Sequence, residues 1–145
     1  MQRVRILLFP SLLVMFFCSC LMSNPAVTSQ GFETWLTAKM TAAPQADLTG
    51  KWDAGSAVSG GWGEGNFIQE QANFSGTLGL YYIKGVVSGS DLYFALISNG
   101  VVYYTGTMSQ TGADSFAGKA VKNALVDSEA AKTAETYAIS FQKMN

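Results

Sequence analysis

The chain has 145 residues, nine of them Lys or Arg and ten Asp or Glu, for a formal charge of −1, and it contains no histidine. Without histidine, Ser-His-Asp and Cys-His nucleophile systems are excluded, together with the commonest transition-metal ligand. Arginine occurs only as Arg3 and Arg5, so bidentate phosphate capture and nucleic-acid binding are not expected either. Carboxylates, lysines, tyrosines and hydroxyls are what remain for chemistry. No catalytic residue, metal site or cofactor is predicted, and the expectation is a non-enzymatic protein.

Arg3 and Arg5 precede an apolar run from Ile6 to Phe17, interrupted only by Pro10 and Ser11. A bilayer-spanning helix needs about 20 apolar residues, so this run suits the core of a cleavable leader. It ends in Phe16-Phe17-Cys18-Ser19-Cys20. That ending resembles the bacterial lipoprotein signal, in which a small residue precedes the cysteine that becomes the lipidated N-terminus. The resemblance makes residues 1–19 the signal peptide, Ser19 the small residue and Cys20 the lipid acceptor. Phe17 and Cys18 depart from the usual Leu and small residue. The other reading is an ordinary secretory leader cleaved nearby. Leu21 stands where inner-membrane retention would show Asp, so the same resemblance implies the outer membrane. Loss of Cys18 and lipidation of Cys20 would leave no free thiol, hence no disulfide framework, CxxC pair or thiolate metal site.

Residues 20–46 read as a tether carrying one short helix near 29–41. Leu21 to Gln30 is small and polar, with Pro25 discouraging regular structure. Phe32, Trp35, Leu36 and Met40 then recur at helical spacing, with Ser29 as the expected N-cap and Pro44 as the stop. This amphipathic helix either packs on the following domain or lies on lipid beside the anchor. Packing is favoured, because Lys39 is its only basic residue and interfacial helices usually carry several.

From residue 47 to 145 the apolar period changes from helical to alternating, with turn residues every eight to twelve positions, roughly the spacing of an all-β barrel or sandwich. Strands are predicted at Leu48–Ala54, Trp62–Glu70, Phe74–Leu80, Tyr81–Ser88, Asp91–Ser98, Val101–Ser109, Ser115–Lys122 and Glu135–Lys143. The third and fourth, separated only by Gly79, read as two strands or one bent strand. Asn99-Gly100 between two apolar runs predicts a type I′ hairpin, which needs φ > 0 at both residues. Residues 123–134 are expected to hold a helical turn or an Ala-rich loop. The fold class follows: mainly β, an eight-stranded antiparallel up-and-down barrel preceded by a short helix, since closure removes exposed edges.

The stretch Leu48-Thr49-Gly50-Lys51-Trp52 resembles the first strand of avidin-like and lipocalin-like barrels. In those barrels a Gly lets the chain bend and a Trp plugs one end. That resemblance makes Gly50 and Trp52 structural, as Asn99 and Gly100 are in their turn. The later-strand tryptophans that wall a biotin pocket are absent, so a fold is implied and no biotin site. Lys84, Lys119 and Gln142 facing water would turn Tyr81, Ile83, Val87, Phe116, Gly118, Ala120, Tyr137, Ile139 and Phe141 inward, joined by Phe74 and Leu78. So many bulky residues predict a mostly filled interior. The central hairpin is apolar on both faces, Leu92/Phe94/Leu96 and Tyr93/Ala95/Ile97, and the helix is expected to cover the outer one.

Two clusters are candidate ligand or interaction sites. Trp62 and Glu64 lie in a Gly-rich run, which reads either as a mobile rim with a carboxylate or as a twisted strand. Tyr103, Thr105 and Thr107 alternate on one strand, either as a hydrogen-bonding wall or as ordinary strand residues. The functional expectation is a membrane-anchored envelope lipoprotein whose barrel is a binding or interaction module. Its partners are the membrane, through the N-terminal lipid, and a small ligand or envelope protein. The alternative is an inhibitor or accessory protein of an envelope enzyme, resembling periplasmic barrels with a similar Gly-x-Trp strand; a carboxylate hydrolase comes last.

Overall fold

A computed structural model describes residues 27–145; the leader and Cys20 lie outside the described residues. One helix, α1 (Ser29–Lys39), precedes eight strands. These are β1 (Gly50–Asp53), β2 (Glu64–Glu70), β3 (Asn73–Leu78), β4 (Tyr81–Ser88), β5 (Asp91–Ser98), β6 (Val101–Gly112), β7 (Ser115–Lys122) and β8 (Thr136–Lys143). Each pairs antiparallel with the next, and β8 returns to β1 to close the barrel. β3 and β4 are separate strands, joined by Gly79 and Leu80 with Leu78 opposite Tyr81. Asn99 and Gly100 have φ of +50° and +75°, as the two central positions of a type I′ turn require.

The interior is filled by rings seated on glycines. Phe67 lies opposite Gly76, Phe74 opposite Gly85, and Phe94 opposite both Gly85 and Gly106. A Cβ at Gly106 would stand 2.2 Å from Phe94 Cζ, and one at Gly85 would stand 2.6 Å from Phe74 Cζ. The missing side chain is therefore the space the ring occupies. Phe67, Phe74, Phe94, Phe116 and Phe141 are all essentially inaccessible to solvent, as are Leu78, Ile83, Val87, Leu92 and Leu96. Of the predicted inward residues, only Gly118 and Tyr137 stay exposed.

One end of the barrel is sealed by the chain that leads into it. Residues 40–49 cross beneath the strands: Thr41 and Ala42 N–H both donate to Ser88 Oγ at 3.1 Å. Gln69 holds the next turn of chain, accepting from Leu48 N–H at 2.8 Å and donating to the Ala46 carbonyl at 3.0 Å. Leu48 and Trp52 then plug the opening, both buried, and the Trp52 indole N–H donates to the Leu48 carbonyl at 2.7 Å. Trp52 packs on Phe116 and Phe141, with ring centroids at 5.8 and 6.3 Å.

Helix α1 lies on the outside, where Phe32, Trp35 and Leu36 are buried with Val86, Ala95, Val102 and Val121. It thus covers the outer face of the central hairpin. Two details differ from the sequence reading. Thr28 rather than Ser29 is the N-cap, its hydroxyl accepting from Gly31 N–H at 3.0 Å. The helix ends at Lys39 rather than at residue 41, leaving Met40 exposed. Asp127, in the β7–β8 connection, holds the helix down by accepting from the Trp35 indole at 2.8 Å and from Lys39 Nζ.

Two predictions follow from this packing. Gly106→Ala should destabilise the domain by about 1–3 kcal/mol, because the new methyl must push Phe94 out of a filled core. In a denaturation double-mutant cycle, Phe94→Leu should relieve part of that cost, giving coupling of about 0.5–3 kcal/mol. Additive losses would mean that the ring does not occupy the glycine's space. The second concerns pH. Burial raises the Asp127 pKa, but hydrogen bonds from Lys39 and Trp35 and the Lys39 charge outweigh it, leaving the carboxyl below 3.8. Its stabilisation is therefore whole above that pH and is lost as pH falls through the lower folded value. The melting-temperature gap between the native chain and Asp127→Asn should be constant near neutrality and shrink below about pH 4.

Candidate functional site

The two ends of the barrel differ. At the end opposite the strap, four rings converge: Trp62 from the β1–β2 connection, Tyr81 at the head of β4, Tyr104 on β6 and Tyr137 at the head of β8. Trp62 meets Tyr104 edge-on at 5.0 Å, Tyr137 at 6.1 Å and Tyr81 at 6.3 Å. Tyr104 also packs edge-on against Tyr81 and Tyr137, each at 5.8 Å. Edge-to-face contacts among rings of this kind are favourable beyond their buried area. Together they make a plug of half-exposed aromatic surface with hydroxyls at its margin.

The plug exists because three tyrosines occupy the outermost inward positions of alternate strands, where Phe residues occupy the deeper ones. A phenol at the mouth can keep its hydroxyl in water while its ring packs on the core. Burial, and then Tyr104, push the Tyr81 phenol above its ordinary pKa. The Tyr137 phenol is pushed up chiefly by donating a hydrogen bond to the Glu135 carboxylate.

Trp62 also repairs a seam. β1 is short, so β8 meets it only at Trp52–Lys143 and Asp53–Gln142. Beyond Asp53, Gly55, Gly60 and Gly63, with φ of +86°, +83° and +90°, carry the chain away from the sheet. The Trp62 indole N–H donates to the Ala138 carbonyl at 3.0 Å, a side-chain bond where the β1 backbone no longer reaches. A cleft of about 470 Å³ remains beside it, lined by Gly55, Gly61, Trp62, Gly118, Ala138 and Ser140 among others. A second, larger cleft of about 630 Å³ lies outside the barrel between Thr28, Gly31 and the 122–135 segment.

The structure sorts the sequence-predicted site residues. Trp62 sits at the centre of the mouth, and Glu64 is exposed at the head of β2 beside it. Tyr103 is at the rim, its ring 6.4 Å from that of Tyr81. It does not share a face with Thr105 and Thr107. Leu96 pairs with Tyr104 and Ile97 with Val102, so Tyr103 is the extra residue of a bulge. Thr105 is fully buried beneath the β7–β8 connection, donating to the Ala124 carbonyl at 2.7 Å, and Thr107 is half-buried on the outer wall. Gly50 and Trp52 lie at the sealed end, away from the plug, whereas Asn99 and Gly100 form the β5–β6 turn at the open end. Sequence reading missed Tyr104, whose inward direction depends on the bulge, and did not join Tyr81 and Tyr137 to Trp62.

Among the described residues, no group of three or more His, Cys, Asp or Glu is placed to hold a metal ion. No helix among them is long and apolar enough to cross a membrane. No family model, curated protein or solved structure matches this chain.

The Trp62–Ala138 bond gives a prediction. Trp62→Phe keeps an aromatic ring in the plug but removes the donor, at a cost of about 1 kcal/mol for such a bond. Amide exchange in upper β8, at Ala138 to Ser140, should accelerate more than in lower β8, where β1 still pairs. Equal protection of both halves would mean that the indole does not close the seam.

Proposed function

We propose that this protein is an exported, lipid-anchored envelope protein whose barrel is a binding or interaction module, with the open end as its contact surface. The observation that carries the reading is the contrast between the interior and the mouth. Inside, Phe rings fill the positions where a ligand-holding barrel would keep space. At the mouth, aromatic surface and exposed apolar tips are held on rigid strands. Val58, in the β1–β2 connection, is 98 % exposed and Leu80, in the β3–β4 turn, is 96 % exposed. Exposed apolar surface concentrated in one place is typical of interaction sites.

A role as inhibitor or accessory of an envelope enzyme uses the same end, through the 54–63 connection and its Val58 tip. It is favoured over a buried small-ligand site by the filled interior. Anchoring rests on the Ser19-Cys20 ending of the leader and on the absence of Asp at residue 21, which points to the outer membrane. A carboxylate hydrolase comes last among the readings: Asp53 stands opposite Glu64 in the β1–β2 ladder, and both are exposed on the rim.

Anchoring is tested by Cys20→Ser. The substituted chain should move from the membrane fraction to the soluble envelope fraction and fail to incorporate labelled palmitate. Unchanged membrane fractionation and mobility would overturn the lipoprotein reading.

A further inference from the structure

Nine large apolar or aromatic side chains are exposed on the described surface, and six belong to the open end: Val58, Leu80, Tyr82, Val101, Tyr103 and Tyr137. The other three, Met40, Ile68 and Met144, are scattered. Val58 and Leu80 lie in two separate connections and Val101 opens β6 after a third, so this end presents apolar tips around the Trp62–Tyr104 plug. The charges near it are few and of both signs: Asp53 opposite Glu64, and the Lys122–Glu135 pair at 3.9 Å.

The anchor emerges at the same end. The helix begins at Thr28, beside Asn123, Ala124 and Glu135, which continue the upper ends of β7 and β8. It then runs down the wall to Thr41, which is bonded to Ser88 at the sealed end. From Cys20 to Val27 there are seven residue steps (27 − 20), at most about 25 Å of chain. A lipid on Cys20 is therefore attached from the mouth side of the barrel, which makes the apolar mouth the end nearer to the bilayer surface.

We infer that the open end docks on the lipid surface that carries the anchor, seating Val58 and Leu80 in the headgroup–acyl boundary with the tyrosines at the interface. This rests on the lipid-anchored reading above and names the occupant of its contact surface. Amphipathic Tyr and Trp rings favour that depth, and apolar side chains enter it by about 5–10 Å. Tethering makes the encounter intramolecular, so two exposed tips suffice where a free domain would need a larger surface. With so few lysines at the mouth, docking does not depend on anionic lipid or low salt.

The test uses the exported, lipidated chain in phosphatidylcholine vesicles. Single Val58→Cys, Leu80→Cys and Ile68→Cys variants carry an environment-sensitive fluorophore, and the vesicles contain either plain or spin-labelled acyl chains. Labels at 58 and 80 should shift to the blue, brighten several-fold and be quenched by the spin label, while the label at 68 should do none of these. Labels at 58 and 80 that stay water-like on a chain that sediments with vesicles would overturn docking and leave the anchor standing. A chain that does not sediment and carries a free Cys20 thiol would overturn the anchor and this inference with it. A response at 58 and 80 only after solubilised envelope proteins are added would assign the surface to a protein partner and overturn the lipid assignment.

Discussion

The barrel depends on one recurrent contact, a Phe ring lying over a glycine on the neighbouring strand. An eight-stranded barrel has an interior just wide enough to be filled by side chains or to hold one small ligand. Here Phe74 and Phe94 lie over Gly85 and Gly106 of the neighbouring strands, and Phe67 folds over Gly65 of its own strand. The glycines forgo a side chain and the rings use the space, so the interior is filled by buried aromatic and aliphatic side chains. The cost is intolerance, since a single methyl at Gly85 or Gly106 meets ring and backbone together. A filled interior also decides where function can reside, because anything this domain contacts must be met on its surface.

The ends are then free to diverge. At the sealed end the strap carries many backbone groups that need partners, and Ser88, Gln69 and the Trp52 indole supply them. Burying Trp52 there removes a large ring from water while its indole N–H remains bonded, which avoids the cost of an orphaned donor. At the open end no described segment crosses the barrel, and the same packing problem is solved by tyrosines. Their rings continue the core upward and their hydroxyls reach solvent. The mouth is thus the place where, among the described residues, a packed core becomes a half-exposed aromatic surface.

Much of this was legible in the sequence, and the exceptions have physical reasons. Eight alternating runs with turn residues between them implied a closed meander, and Asn99-Gly100 named its turn. The two-faced apolar hairpin implied a cover, and the Phe32/Trp35/Leu36 stripe supplied one. Met40 was misjudged because apolar spacing continues past the point where the helix hydrogen bonds stop. Tyr103, Thr105 and Thr107 look like one face under a strict two-residue period, and a one-residue bulge destroys that period without any marker in composition. The aromatic mouth was readable only in parts. Tyr81 and Tyr137 point inward by alternation, but their convergence with Trp62 depends on the register of nonadjacent strands.

The short first strand ties these features together. β1 ends at Asp53 because Gly55 and its neighbours turn the chain away from β8, leaving upper β8 paired with β7 alone. A bare edge is normally a liability, since unpaired N–H and C=O groups invite another strand. Trp62 answers with one indole bond to Ala138, and that bond fixes its ring at the centre of the plug. The connection that abandons the sheet therefore also delivers the mouth's central aromatic and the fully exposed Val58. A longer β1 would close the seam with backbone bonds alone. It would also draw Trp62 and Val58 into the wall and leave the open end without its central ring and its exposed apolar tip.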